Sequence, residues 1–574
     1  MSEAGARHPA TTVRHPAATI RNPVLAGFHP DPSIVRAEGR YVVATSTFEW
    51  FPGVRLHESD DLVHWRLVGH ALTDPDHLPL RGVPDSGGVW APSLSYEDGR
   101  YRLVYTVVRT MAGQTKDLDS YVTTASSLDG PWGRPIYVGS RGFDPSLFTD
   151  DDGRLYLASL RWDHRSGHPK FGGIVVQELD PSTYDRLGDS RVVHSSDELV
   201  EGPNLYRRDG WYYLLLAEGG TGWNHGVRLA RSRSLWGPYE EDPEPLLTTR
   251  DLDPAATALA GDDGPSHGWH KAGHGELVEA DDGRWYLVHL ASRPVMTDEG
   301  PACVLGRETC LQAVRWTDDG WLRLTDGTHH PATEVPAPSD AVTREGDGTG
   351  PGPSAGHTAR LTAETLGRDW VTLRAPADST WVSWSGPSAD RLRLRGRDSL
   401  RSLFDQSLVA HRVTAQHVVL DAVVHADPHE PAHRAGITAY YDTTGHLFLY
   451  LSADDHGRRV LGLERRTADH ESDLELDVDV SAWSAVHLRL TLDRDLVHLA
   501  ASPDGREWQH LDEPHDAAPL SDDHAGLLRF TGAFVGVAVS DLAERSWSAD
   551  LSDVVLTTAP TGTPVLTPAP RSFA

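Results

Sequence analysis

Four side chains able to carry acid–base chemistry precede recurring turn glycines at nearly constant spacing. Asp31 lies eight residues before its glycine, whereas Asp144, Glu201 and His274 each lie nine residues before theirs. One carboxylic acid can protonate a leaving oxygen while a second carboxylate activates water, when their surroundings push the two pKa values apart. The spacing therefore predicts a single acid–base site, provided that the fold brings the four positions together.

A simpler interpretation of these positions is turn formation. Pro follows Asp31, Asp144 and the Glu201-Gly202 pair, and Asp-Pro and Gly-Pro dipeptides are ordinary turn formers. Three acidic groups at matched positions would nevertheless repel one another unless a site used them. We therefore predict that Asp31, Asp144 and Glu201 are catalytic, whereas His274 fits a channel ligand and a hydrogen-bonded core histidine equally well.

The glycines themselves belong to a sequence repeat. Each follows an acidic residue and precedes a run that alternates aromatic and aliphatic residues, which is a strong hairpin signal. The five turn glycines are Gly39, Gly99, Gly153, Gly210 and Gly283. Their intervals of 60, 54, 57 and 73 residues, obtained by subtraction, each suit one four-stranded blade with its loops.

Five such units cannot each bury a hydrophobic face alone, so we predict an all-β fold in which residues 20–326 form a five-bladed β-propeller. The innermost strands of a propeller surround one channel, which would bring the acidic entry positions to a common mouth. A stacked solenoid is the alternative arrangement of the same units.

A second domain follows a stretch rich in Pro, Gly, Thr and Ser. This stretch, residues 327–358, is predicted to be a linker. Later segments such as HVVLDAVVHA and VHLRLTLD alternate apolar and polar residues at a period of two, which predicts a jelly-roll-like β-sandwich over residues 359–558. Residues 1–19 are predicted to be flexible, and residues 559–574 to be a disordered tail.

Composition excludes several classes of partner. The 574 residues include 53 Lys and Arg against 83 Asp and Glu, for a net charge of -30, which disfavours nucleic acid and anionic membrane surfaces. No apolar run approaches the ~20 residues of a membrane-spanning helix, and the N-terminus lacks a signal-peptide core, so a cytoplasmic protein is predicted. Two cysteines, Cys303 and Cys310, are too few for a disulfide framework.

Paired carboxylates beside aromatic side chains are typical of glycoside hydrolysis, in which one acid protonates the leaving oxygen and one base activates water. Phe48, Trp50 and Trp90 lie near these positions in the sequence and could pack against sugar rings. Metal-dependent hydrolysis would need more ligands. Because Asp31 and Glu201 come from the non-adjacent first and fourth repeats, the wide carboxylate separation of inverting enzymes is favoured.

Several separated motifs occur in the same order as in one known family. They are NPVLAGFHPDPSIVR, TSTFEWFPGV, GFDPSLF, EGPNLY and KAGHGELV, followed in the second domain by GRDSLRSLFDQSLVAHR and FTGAFVGVAVSDL. On these motifs the chain resembles glycoside hydrolase family 43, in the group of β-xylosidases and α-L-arabinofuranosidases with a C-terminal sandwich. The resemblance implies that Asp31 is the general base, Asp144 orients the acid and tunes its pKa, and Glu201 is the general acid.

The same resemblance implies a set of binding residues. Arg307 would grip the sugar that is released, Phe48 and Trp90 would line the pocket, and Phe534 of the sandwich would stand at its rim. Some family members hold a calcium ion on the propeller axis through the histidine that matches His274. The resemblance thus allows a structural or electrostatic calcium ion here and implies no required cofactor.

The leading hypothesis is an exo-acting, inverting hydrolase that releases xylose, arabinose or both from xylo-oligosaccharides or arabinose-decorated fragments. Its partner would be a small oligosaccharide, and a homo-oligomer is compatible with the sequence. The GWNHG loop at residues 222–226 departs from the β-xylosidase pattern, which leaves the sugar preference open. The alternatives are an α-L-arabinofuranosidase or arabinanase and, from another class, a non-catalytic sugar-binding propeller.

Overall fold

The computed structural model describes residues 18–260, 268–339, 341, 356–386 and 390–558. The predicted C-terminal tail and almost all of the predicted N-terminal segment lie outside these ranges. The all-β prediction is confirmed, because helices within the described ranges are limited to short segments. These segments are the α-helix Pro254–Ala260 and the 3-10 turns Ala518–Leu520 and His524–Gly526.

The first domain is a ring of five antiparallel blades, as predicted. Each blade has its first two strands joined across one of the predicted acidic-Gly turns. The first strands contact one another around the ring and form its inner wall. The blades are Ser33–Ala37, Arg40–Thr45, Gly53–Ser59 and Trp65–Leu72; Gly88–Glu97, Arg100–Val108, Leu118–Ala125 and Ile136–Gly139; Ser146–Thr149, Leu155–Trp162, Phe171–Leu179 and Arg186–His194; Val200–Arg208, Trp211–Glu218, Gly226–Ser232 and Glu240–Glu241 with Leu247–Thr248; His270–Glu279, Trp285–Ser292, Glu308–Trp316 and Leu322–Leu324 with the hairpin Val295–Thr297 and Gly300–Ala302.

The two ends of the propeller are tied together by main-chain pairing. Strand Thr19–Arg21 pairs antiparallel with Glu334–Pro336, so the start of the predicted linker belongs to the propeller. Across the junction of the first and fifth blades, the Ile34 N–H donates to Glu276 Oε2 at 2.8 Å. Both interactions close the ring, because they join segments about 240 to 310 residues apart in sequence.

The second domain is the predicted β-sandwich, built from two antiparallel sheets that enclose a large aliphatic core. One sheet contains Val382–Ser385, Arg391–Arg395, Ser548–Thr558, His417–His425, Val486–Asp493, Leu496–Ser502 and Gln509–His510, with Thr358–Arg360 and His515–Asp516 alongside. The other contains Glu471–Asp479, Arg459–Arg466, Gly445–Ala453, His433–Asp442, Phe534–Asp541, Ser407–Arg412, Trp370–Leu373 and Trp50–Phe51.

The last strand of that second sheet comes from the propeller. Trp50 and Phe51 lie between the second and third strands of the first blade, yet they pair with Leu373 and Thr372 of the sandwich. Trp50 is fully buried and stacks on Phe534 with ring centroids 3.7 Å apart. The two domains therefore share a sheet and an aromatic core, and the predicted boundary at residues 327–358 marks only where the chain crosses between them.

None of the described helices is long and apolar enough to cross a membrane.

Candidate active site

One backbone conformation recurs where the chain enters each inner strand. Asp31, Asp144 and His274 have positive φ angles of 52°, 54° and 50°, and Ala91 and Gly202 occupy the corresponding positions with 35° and 56°. Such left-handed geometry costs non-glycine residues roughly 1–3 kcal/mol and concentrates at functional sites. The structural equivalents of Asp31 and Asp144 in the other blades are therefore Ala91, Gly202 and His274.

In the fourth blade, the residue with the positive φ angle is Gly202, and Glu201 is the residue directly before it. In the sequence, Asp144 and Glu201 lie equally far from the turn glycines of their blades. The match was accidental, because the third blade has one more residue than the fourth between the positive-φ position and the turn glycine. The pairing of the first two strands of the fourth blade is interrupted between Glu201 and Asn204, and such interruptions re-aim side chains near active sites. The glutamate thereby enters the same cavity from a different backbone site.

Asp31 accepts hydrogen bonds from two side chains, one neutral and one positively charged. Arg307 Nη1 donates to its Oδ1 and Ser46 Oγ donates to its Oδ2, both at 2.7 Å. Ser46 also accepts a hydrogen bond from the Ala91 N–H, so it links the base to the second blade. These contacts fix the carboxylate in one orientation and place a guanidinium charge beside it, which favours its ionised form.

Burial controls the protonation of Glu201. Only 7% of the residue is exposed, and this burial, followed by the negative charge of Asp31, raises the pKa of Glu201 to about 7, whereas Arg307 acts in the opposite direction. The family resemblance implied that Asp144 tunes this pKa. The structure instead assigns it first to loss of solvent and second to Asp31.

Asp144 contacts the backbone next to Glu201. Its Oδ2 accepts a hydrogen bond from the Gly202 N–H at 3.1 Å, on the residue directly after Glu201. Burial raises the pKa of Asp144, while the nearby His274 lowers it and Glu201 and Asp31 raise it further. A side chain at Gly202 would meet the His274 ring at 3.2 Å, so the peptide, the aspartate and the histidine fit only with glycine between them.

His274 lies beside the base but does not assemble a calcium cage. Its Nδ1 is 3.9 Å from Asp31 Oδ1. Among the described residues, no group of three His, Cys, Asp or Glu donors within 4.8 Å of one another includes His274. Calcium takes six to eight oxygen ligands, and the side chains here do not supply them. An ion held by His274 through water molecules, as the resemblance implies, stays a prediction, and we derive no catalytic step through one.

All of these groups open into one cavity of about 560 Å³. It is lined by the acidic groups, His274 and Arg307, and by fifteen further residues, six of which are aromatic. The remaining lining residues are Phe48, Trp90, Met111, Ala112, Gly113, Lys116, Phe143, Trp162, Lys170, Phe171, Leu199, Gly220, Thr221, Leu528 and Phe530. The sequence analysis named Phe48 and Trp90 from this wall, whereas Ser46, Lys116 and Lys170 carried no signal that singled them out.

The sandwich contributes to the wall, but through a residue other than the one predicted. Phe534 is 0% exposed and lies one layer behind the cavity, stacked on Trp50. The cavity is instead lined by Phe530, whose ring centroid is 5.2 Å from Trp90 and 6.2 Å from Phe48. Phe534 begins a strand whose residues are all buried, whereas Phe530 lies in the preceding loop, so local pattern could not choose between two phenylalanines four residues apart.

Arg307 connects the base, the sandwich and the cavity. Its Nη2 donates to the carbonyl oxygen of Phe530 at 2.8 Å while its Nη1 holds Asp31. Within the described part of the chain, its buried Nε has no hydrogen-bond partner. Arg307 also lines the cavity, so its predicted contact with the sugar is sterically possible.

The unusual loop at residues 222–226 has two separate environments. Gly220 and Thr221, just before it, line the cavity. Trp223 instead contacts His270, with ring centroids 5.7 Å apart, and Lys271, whose Nζ is 4.6 Å from the Trp223 ring centroid. Trp223 therefore packs against the start of the inner strand of the fifth blade and does not line the cavity.

Comparison with known proteins decides the family. Residues 20–322 match the model described as "Glycosyl hydrolases family 43", which is more than half of the chain. The chain belongs to glycoside hydrolase family 43. Residues 361–554 of this family 43 glycosidase match the "Beta xylosidase C-terminal Concanavalin A-like domain", which agrees with the observed sandwich.

Similar proteins span nearly the whole chain. It is 39% identical over 541 residues to "Xylan 1,3-beta-xylosidase" of Vibrio sp, covering 92% of this chain and 97% of that one. It is 40% identical over 532 residues to "Xylosidase/arabinosidase 43B" of Humicola insolens, covering 90% and 94%. The solved structure of xylan beta-1,4-xylosidase from Bacillus Halodurans C-125 superposes with a TM-score of 0.84 and 42% identity, covering 94% and 99%.

Proposed function

We propose that this family 43 glycosidase is an exo-acting, inverting β-xylosidase that acts on short xylo-oligosaccharides. The observation that carries the proposal is that Asp31, Asp144 and Glu201 converge on one cavity that Phe530 of the second domain helps to wall. An acid, a base and aromatic walls in one pocket are the equipment of glycoside hydrolysis. The names of the relatives support xylosides as the substrate class.

The proposed reaction is a single displacement. Protonated Glu201 gives its proton to the glycosidic oxygen as the bond from that oxygen to the anomeric carbon breaks. Asp31 takes a proton from a water molecule, and the water oxygen forms a new bond to the anomeric carbon on the opposite face. The products are a sugar with inverted configuration and a shortened oligosaccharide, with Glu201 ionised and Asp31 protonated until solvent exchange restores them.

Asp144 and Arg307 would prepare this step without exchanging protons with the substrate. Asp144 holds the peptide after Glu201 through the Gly202 N–H, which fixes the direction from which the acid approaches. Arg307 holds Asp31 through Nη1 and lines the cavity that would receive the sugar. Correct orientation of this kind supplies a large part of a catalytic rate enhancement.

Exo action is supported by the contribution of the sandwich to the pocket. Leu528 and Phe530 line the cavity together with Phe48 and Trp90 of the propeller. An endo-acting enzyme needs an open groove in which the polymer extends in both directions. Walls contributed by a second domain favour a blind pocket that admits one chain end.

Arabinofuranoside cleavage is a second candidate, and the Humicola relative favours it because its name includes both activities. The experiment that separates the candidates compares kcat/KM on 4-nitrophenyl β-D-xyloside, 4-nitrophenyl α-L-arabinofuranoside, and β-1,3- and β-1,4-linked xylobiose. We expect the xylosides to be preferred. A higher kcat/KM on the arabinofuranoside would make arabinofuranosidase the main activity.

Stereochemistry tests the mechanism itself. Proton NMR during the first turnovers of a β-xyloside should show α-xylose before mutarotation, and Asp31→Asn should be inactive. Initial release of β-xylose, or a glycosyl-enzyme trapped on Asp31, would assign a retaining mechanism instead. An inactive protein on every glycoside, with sugar binding intact, would support the non-catalytic alternative.

A further inference from the structure

A buried cluster of basic side chains lies between the propeller and the sandwich, apart from the acidic groups of the active site. It consists of Arg55, His57 and His70 from the first blade, His29 from the turn before it, and Arg412 from the sandwich. We call these five residues the Arg412 cluster. The His29 and His57 ring centroids are 5.2 Å apart, and Arg412 lies over the Phe534 ring at 5.6 Å.

The cluster contains polar atoms that the protein does not satisfy. Within the described ranges, six buried nitrogen atoms of the cluster have no hydrogen-bond partner. They are Nε and Nη1 of Arg412, Nε of Arg55, Nε2 of His29, Nδ1 of His57 and Nε2 of His70. Arg412 is only 2% exposed and Arg55 only 6%. Buried polar groups of this kind are normally paired with protein, water or an ion.

The charges in the cluster do not balance either. Burial, with the neighbouring arginines, lowers the pKa values of His29, His57 and His70, so these rings are neutral. Arg55 Nη2 donates a hydrogen bond to Asp369 Oδ1 at 3.2 Å, and Asp369 is also the one carboxylate that interacts electrostatically with Arg412. One positive charge is left over in a buried place, and such a charge is strongly unfavourable unless it is compensated.

Water could satisfy the free N–H groups but not the charge. The face of Phe534 offers Arg412 only a partial electrostatic partner. We propose that the Arg412 cluster binds a small monovalent anion such as chloride. Guanidinium N–H groups would donate to the ion, and His57 and His70 can present an N–H through their choice of tautomer. His29 is oriented differently, because its Nδ1 lies 3.0 Å from the Ala26 carbonyl oxygen and so carries the proton.

The ion would stabilise the contact between the two domains. Arg412 is the last residue of a sandwich strand, whereas Arg55 and His57 lie in a propeller strand. His29 is two residues before the base Asp31 in sequence. An anion held by both domains thus links the shared interface to the turn that carries the catalytic base.

Crystallography with bromide gives the direct test. Crystals of the full chain grown or soaked in sodium bromide should show an anomalous difference peak within about 3.5 Å of Arg412 nitrogen atoms. Density there without an anomalous peak at high bromide concentration would mean that water fills the space, and the proposal would be wrong. A bromide ion bound in the active-site cavity would give a separate peak and could not be mistaken for one at the Arg412 cluster.

Thermal unfolding gives the solution test. At matched ionic strength, chloride should raise Tm relative to gluconate, which is too large to enter, by about 1–3 °C per tenfold increase above its Kd. Arg412→Met should abolish the difference. Arg393→Met should leave it unchanged, because Arg393 pairs with Asp550 and is largely exposed. A chloride effect equal in wild type and Arg412→Met would place the ion elsewhere, including the catalytic pocket.

If Arg412→Met fails to fold, a second variant tests the proposal, and in this variant the effect of chloride on Tm should increase. Asp369→Asn removes the one carboxylate beside the Arg412 cluster and leaves the guanidinium charges of Arg55 and Arg412 uncompensated. Its chloride dependence should therefore be stronger than that of the wild type. A weaker or unchanged dependence in Asp369→Asn would overturn the proposal.

Discussion

At the scale of single residues, the site depends on carboxyl groups in different surroundings. Asp31 has a guanidinium and a hydroxyl as hydrogen-bond donors, whereas Glu201 is buried and its pKa is raised to about 7. This difference in surroundings supports the proposed roles of Asp31 as the base and Glu201 as the acid.

Replacing the acid should affect substrates according to their leaving groups. Glu201→Gln keeps the shape of the side chain but cannot donate an acidic proton, so kcat/KM on xylobiose should fall by roughly 10²–10⁴-fold. A nitrophenyl xyloside needs less protonation and should lose about tenfold less. Equal losses on the two substrates, measured side by side, would remove Glu201 from the acid role.

The pH dependence follows from the raised pKa of Glu201. The acid is active only when protonated, so kcat/KM on xylobiose should decline as pH rises through about 7, with a limiting slope of one proton. The decline should be shallower on the nitrophenyl substrate. Circular dichroism at each pH controls for unfolding, and constant activity up to pH 9 would contradict the assignment.

At the scale of elements, the loop of the sandwich that carries Phe530 is held by a close backbone contact. A Cβ on Gly532 would lie 2.7 Å from the Leu305 carbonyl oxygen, and one on Gly306 would lie 2.8 Å from the Gly532 Cα. Two glycines allow these loops to touch directly beside Arg307. The wall of the pocket therefore depends on a contact that no larger residue permits.

Adding one methyl group tests this contact. Gly532→Ala should push the Phe530 loop away from Arg307, weaken the hydrogen bond to the Phe530 carbonyl, and raise KM for xylobiose several-fold. Gly268→Ala is the matched control, since a Cβ there meets nothing within 4 Å. Unchanged kinetics in Gly532→Ala would show that the loop position is not critical for binding.

At the scale of the whole molecule, a buried ion cluster joins the domains. Lys271 of the fifth blade is 1% exposed, and its Nζ donates to Asp522 at 3.0 Å and to Asp523 at 2.7 Å. Burial alone would lower the pKa of Lys271, but the two carboxylates raise it above its ordinary value. Asp522, Asp523 and Cys303 also come close enough to suggest a metal site, but the Lys271 ammonium already binds both carboxylates and compensates one of their two negative charges.

Removing the Lys271 ammonium alone should destabilise the folded protein more than removing all three charged groups. Lys271→Met leaves two buried carboxylates without their cation and should lower the free energy of unfolding by about 3–5 kcal/mol. The triple variant Lys271→Met, Asp522→Asn, Asp523→Asn has no uncompensated charge and should recover much of that loss. Denaturant titration measures both proteins, and a triple variant less stable than Lys271→Met would contradict this account.

Local chemistry in the sequence was sufficient for much of this protein. Acidic-Gly turns and period-two patterns are set by neighbouring residues, so they predicted the five hairpins and the sandwich strands. The repeat spacing brought Asp31, Asp144 and Glu201 forward as candidates, and the structure places all three in one cavity. The family resemblance assigned their individual roles.

Only the tertiary structure decided how the domains build the pocket. Trp50 and Phe51 form a strand too short for any periodic signal, and they pair with residues more than 300 positions later. Phe530, not Phe534, reaches the cavity, because the turn of the chain before a buried strand sets which ring faces outward. Such features depend on contacts between segments distant in sequence, and neighbouring residues carry no record of those contacts.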